Sequence, residues 1–150
     1  MRKIVFAILA AAFALPAHAE TRNAAAAAPG SYAGTWGFQT EDYGNDQYGV
    51  AMSGVAVITP AQAANRYNIR LLAQELITQR ESGLTHLLIA RENCTGDGSN
   101  GQLAITCEMA EPVQNYQPDS FILQPGENAD QLVGALSSAS NGSATFNRMR

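Results

Sequence analysis

The stretch Cys94-Thr95-Gly96-Asp97-Gly98-Ser99-Asn100-Gly101-Gln102-Leu103-Ala104-Ile105-Thr106-Cys107 decides the reading of this chain. Leu103, Ile105 and Cys107 alternate with Ala104, Thr106 and Glu108, the period of a half-buried strand. Asn100-Gly101 is the favoured pair for a two-residue type I′ turn, whose two central residues both need positive φ. A hairpin centred there pairs Ser99 with Gln102, Gly98 with Leu103 and Cys94 with Cys107. Counting outward from a hydrogen-bonded Ser99–Gln102 pair, Cys94–Cys107 is non-hydrogen-bonded, and such pairs hold their α-carbons about 4.5 Å apart. That distance suits a disulfide. Turn chemistry and cysteine spacing therefore point to one register, although Gly96 and Gly98 weaken the ladder and leave a longer loop with the same disulfide as the alternative. A redox-active pair would want close spacing at a helix start, which this segment lacks, so the expected role is structural.

Outward from the hairpin, short alternating segments are separated by turn residues. Gly34–Thr40 places Trp36 and Phe38 on one face, and Val50–Thr59 carries Val55 and Val57 together before ending at Pro60. Tyr67, Ile69 and Leu71 alternate with Asn68 and Arg70. Leu84–Glu92 has strand composition, but Leu87-Leu88-Ile89 blurs which face is buried. Phe121 with Leu123, Leu132 with Leu136, and Phe146 mark three more strands. Seven or eight short strands at this spacing predict an all-β, antiparallel up-and-down meander, closed as a barrel, with a sandwich as the competing architecture. Ala61–Gln79 is rich in helix formers. The alternation favours a strand through Leu72, and a short helix at Ala61–Asn65 or Leu72–Thr78 stays open.

The chain begins with Arg2-Lys3, an apolar run from Ile4 to Leu15, and Ala17-His18-Ala19. These are the three parts of a secretory signal peptide, with cleavage expected after Ala19. The apolar run is too short for a bilayer span, which needs roughly 20 residues. The Ala-rich residues 20–31 read as a flexible lead-in and 32–150 as the barrel domain. Export implies a periplasmic or secreted protein in an oxidising compartment, where Cys94 and Cys107 pair. Losing Arg2 and Lys3 leaves seven Arg against 13 Asp and Glu, a net charge of −6, with no Lys and a single His. That acidity argues against nucleic-acid binding. The absent Lys excludes Schiff-base chemistry, and a lone His excludes a two-histidine metal site.

No phosphate loop, dinucleotide fingerprint, serine elbow or zinc motif appears, so no catalytic residue, metal ligand or cofactor is expected. Glu41, Asp42, Asn45 and Asp46 crowd oxygen atoms in one loop, which reads as solvated acidic surface ahead of a cation site. Asn115-Tyr116-Gln117-Pro118-Asp119-Ser120-Phe121 reads as a rigid corner before the Phe121–Leu123 strand, with a tyrosine lining a barrel mouth as the alternative. Phe38, Tyr67, His86, Tyr116 and Phe121 are the candidate ligand-lining residues.

Gly34-Thr35-Trp36 at the first strand and Arg148 in the last resemble the calycins, the superfamily of lipocalin and avidin-like barrels. The resemblance implies that Trp36 closes one barrel end with Arg148 packed across it. Biotin-type binding is not implied, because those sites use several tryptophans and this chain has 1. The expected function is non-catalytic binding of a small, partly apolar molecule. The alternative is a protein-binding envelope module such as a periplasmic protease inhibitor. An outer-membrane barrel is disfavoured, since its strands need roughly nine to eleven residues with aromatic girdles and these segments look shorter.

Overall fold

A computed structural model describes residues 31–150. The expected signal peptide (1–19) and residues 20–30 of the expected lead-in lie outside the described residues. Nine strands follow in order: β1 Gly34–Thr40, β2 Tyr43–Gly44, β3 Tyr48–Pro60, β4 Arg66–Gln79, β5 Thr85–Asp97, β6 Leu103–Met109, β7 Ser120–Pro125, β8 Gln131–Ser137 and β9 Asn141–Arg148. All pairings are antiparallel. β3 through β9 form a meander, and β1 pairs with both β9 and β3. Eight strands thus close a barrel, with two-residue β2 added to one end of β3. Closure leaves the sandwich aside, because a sandwich does not need its first and last strands to meet.

The hairpin has the expected register. Cys94 stands opposite Cys107, the disulfide is formed across a Cα–Cα distance of 4.0 Å, and the half-cystines lie 13 residues apart. Asn100 (φ 60°) and Gly101 (φ 73°) both occupy the left-handed region, as a type I′ turn demands. The ladder stops at Asp97–Ala104, one pair short of the expected Gly98–Leu103 pair. The Gly98 N–H instead donates to the Asn65 carbonyl in the turn between β3 and β4.

One open alternative is decided and one expectation needs correction. Ala61–Gln79 contains no helix over either proposed span: β4 runs unbroken for 14 residues. It is hydrogen-bonded along almost its whole length to β3 on one side and β5 on the other. Tyr67, Ile69, Leu71 and Ala73 all point into the core, so pairing and burial override helix propensity. The strands are also not uniformly short, because β3 and β5 have 13 residues each. Strand length therefore does not separate this barrel from a membrane one. The core-forming apolar residues point inward, and the outer wall mixes polar Asn68, Arg70, Gln74, Asn93 and Thr95 with apolar Val57, Leu72, Leu76, Leu87, Ile89 and Ile122.

The interior is filled. Phe38 stacks on Phe146 at 4.9 Å between ring centroids, and Phe121 meets both edge-on at 5.8 and 5.2 Å. Trp36, Met52, Ile58, Leu103, Ile105, Leu123 and Leu136 complete the packing. On β3 the inward residues are Met52, Ala56 and Ile58, so the Val55 and Val57 pair faces outward.

Candidate functional site

One barrel end is closed by the first and last strands. Trp36 and Arg148 are register partners, and the guanidinium carbon sits 4.2 Å from the indole centroid. Arg148 also donates to the carbonyls of Ala33 and Ser31, and its Nε lies 3.3 Å from an Asp130 carboxylate oxygen. The indole N–H donates to the Tyr32 carbonyl at 2.9 Å. Gly34 has φ 142°, and a β-carbon there would collide with the guanidinium. The Gly-x-Trp spacing thus makes room for the arginine that covers the tryptophan. Tyr67 belongs to this same end, edge-on to Tyr32.

The opposite end is acidic and buried. Inward positions of β4 and β5 supply Glu75 and Glu92, and Asp119 precedes β7 opposite Cys107. Glu92 is 2% exposed and Asp119 is fully buried. The Tyr116 hydroxyl donates to Asp119 at 2.7 Å, the Asp119 N–H donates to Glu92 at 3.2 Å, and the Tyr43 hydroxyl donates to Glu75 at 3.0 Å. One oxygen of Glu92 and one of Asp119 have no hydrogen-bond partner among the described residues. Burial, then the neighbouring Asp119 charge, pushes Glu92 up to about 8. Burial raises Asp119 to about 6 against the opposing pull of the Tyr116 hydrogen bond. The Tyr43 and Tyr116 hydroxyls are raised by burial and by the nearby carboxylates, so both stay protonated donors. The Tyr116 corner therefore caps this end and supplies it with a phenol.

Glu92 also lies beside the disulfide, its carboxylate within 4.8 Å of both sulfurs. With the sulfurs bonded to each other, no thiolate is offered to a metal. The acidic loop is exposed, and Asn45 spends its side-chain oxygen on the N–H groups of Gln47 and Tyr48.

The five candidate lining residues do not surround one space. Phe38 and Phe121 fill the centre, Tyr67 lies at the Trp36 end and Tyr116 at the acidic end. His86 is exposed near the start of β5. Two clefts lie on the outer wall, one over the disulfide hairpin and another beside Val55, Val57, Leu72 and Arg91.

A different feature stands outside the barrel wall. β5 pairs with β4 from Thr85 to Asp97, but with β6 only from Glu92 to Asp97. Continuing the β6 register would set Pro112 opposite Ile89. Proline has no N–H to give the Ile89 carbonyl, so the ladder ends after Ala110 donates to the Arg91 carbonyl. Thr85–Ile89 is left as a strand edge with no neighbour among the described residues. Leu87 and Ile89 point outward there, each 52% exposed, beside Leu76 at 42%. The buried carboxylates and this edge both escaped the sequence reading. The inward Cys94 carried the signal for both: counting back by twos makes Glu92 and Leu88 inward, and Leu87 and Ile89 outward.

Fold and closure together define a small, disulfide-linked antiparallel β-barrel with a packed interior. No known family, curated protein or solved structure matches the chain. No helix among the described residues is long and apolar enough to cross a membrane.

Proposed function

We propose that this is an exported, non-catalytic barrel of the calycin type that serves as a protein-binding module of the cell envelope. The observation that carries the reading is the unpaired edge Thr85–Ile89, free of Asp, Glu, Lys and Arg, beside outward Leu76, Leu87 and Ile89. Natural sheets blunt such edges with charge, proline or a covering segment, and an edge left open pairs with another chain. The filled core supports the same reading, since an enclosed apolar ligand would have to displace the Phe38–Phe121–Phe146 cluster. The Gly34, Trp36 and Arg148 arrangement supports the calycin assignment. The disulfide and the Arg2-Lys3 to Ala19 leader support a periplasmic or secreted location, with the mature chain starting at Glu20.

Native mass spectrometry of the protein taken from its host's envelope tests this. The expected species is the mature chain, beginning at Glu20, in complex with a second polypeptide. A chain carrying only a small-molecule adduct would overturn the reading in favour of ligand binding.

A further inference from the structure

We infer that the polypeptide docked at Thr85–Ile89 is a second copy of this chain, added as an antiparallel strand about a two-fold axis through Leu87. The inference rests on reading the protein as a protein-binding module and names the partner of that site.

The backbone sets the geometry. On β5 the even-numbered residues face β4, as the bond from the Gln79 N–H to the Leu84 carbonyl shows. The odd-numbered residues face the other way, as the bond from Ala110 to Arg91 shows. Thr85, Leu87 and Ile89 therefore present their N–H and C=O groups to the open side. An antiparallel partner keeps opposed side chains on one face, so an outward residue must meet an outward residue. Leu87 opposite the second copy's Leu87 satisfies this, and it places each Thr85 opposite the other copy's Ile89. In this register every free backbone group from Thr85 to Ile89 is satisfied on both chains. It also ends where the edge ends, because the Arg91 carbonyl is already taken by Ala110.

Side chains favour a copy of the same strand. Leu76 is the register partner of Leu87 on β4, and both face outward. Pairing at Leu87 therefore extends the Leu76–Leu87 row straight into the second copy's Leu87 and Leu76. No Asp, Glu, Lys or Arg falls within Thr85–Ile89, so the acidic chain meets itself where it carries no carboxylate. The axis also carries the tip of each β4–β5 hairpin, with exposed Glu81, towards the exposed Arg91 of the other copy. The interface is isologous and closes on itself as a dimer, which protects the edge without building a fibre.

Sedimentation velocity on the mature, oxidised protein tests the inference, with Leu87→Lys, Leu87→Cys, Ile89→Cys and Ile122→Lys alongside. The wild type is expected to sediment as a dimer. Leu87→Lys sets two like charges face to face on the axis and should weaken dimerisation at least about tenfold while the thermal transition is kept. Ile122→Lys, on the far outer wall, should remain dimeric. Leu87→Cys should cross-link across the axis under oxidation, and Ile89→Cys should not, because each Ile89 faces a threonine. A monomeric wild type, a dimeric Leu87→Lys protein, or equal cross-linking by the two cysteine variants would overturn the inference. If the wild type is monomeric yet a different polypeptide is held and then lost on Leu87→Lys, the second-copy inference fails and the binding-module reading survives. If no polypeptide is held at all, both fail.

Discussion

Arg148 touches four partners through a planar head: the Trp36 face, the carbonyls of Ala33 and Ser31, and Asp130. A lysine in its place keeps the charge but loses both the stack and the fork of donors. Arg148→Lys should lower unfolding free energy by about 0.5–2 kcal/mol in urea titration. The same change at exposed Arg150 should cost almost nothing. At the acidic end, Glu92 releases its proton near pH 8 in the folded chain against an ordinary 4.5. The folded state therefore holds more protons than the unfolded one between these values. Stability is complete below about 4.5 and is lost as pH rises through 8. Asp119 adds a decline in the same direction, ending near 6. Gln in place of Glu92 has no proton to lose and can still accept from the Asp119 N–H. Glu92→Gln should exceed the wild type at pH 8.5 by at least about 1 kcal/mol, the equivalent of one pH unit of linkage. A wild type whose stability rises between pH 5 and about 8 would contradict this assignment.

Within single elements, the β5–β6 hairpin was legible because two independent local rules agreed on one register. Asn100 and Gly101 can hold positive φ, and the cysteines fall opposite each other at a non-hydrogen-bonded pair. Cys107→Ala should cost about 2–5 kcal/mol in chemical denaturation, and thiol labelling of the unfolded, unreduced wild type should find no free cysteine. β4 was harder. Ala73 to Thr78 has helical composition, and only its neighbours β3 and β5 hold it extended. The open edge of β5 was illegible for a related reason. Thr85–Ile89 reads as an ordinary strand, and its lack of a partner follows from where Pro112 falls in the register of another strand.

Across the whole molecule, aromatic residues from β1, β7 and β9 meet at the barrel centre although Phe38 and Phe146 are far apart in sequence. Phe146 is fully buried between Phe38 and Phe121. Phe146→Ala should cost about 3–5 kcal/mol, more than any single exposed outer-wall change. It should also open a void that takes up a small aromatic probe, read by fluorescence or calorimetry, where the wild type takes up none. Uptake by the wild type at comparable affinity would return the small-ligand reading to first place.

Alternation, turn chemistry and cysteine spacing are local properties, so the sequence by itself determined the all-β class, the strand centres, the hairpin register and the disulfide. The closure contact between Trp36 and Arg148 was anticipated from the resemblance carried by Gly34-Thr35-Trp36 and Arg148, and the meeting of the first and last strands brings the two residues together. Tertiary structure alone decided the rest. Whether a barrel is hollow depends on how side chains from distant strands interlock. The burial of Glu92 and Asp119 depends on the Tyr116 corner folding over them. Whether a strand has one neighbour or two depends on the length of the strand beside it, a quantity that no window of the sequence around Thr85–Ile89 contains.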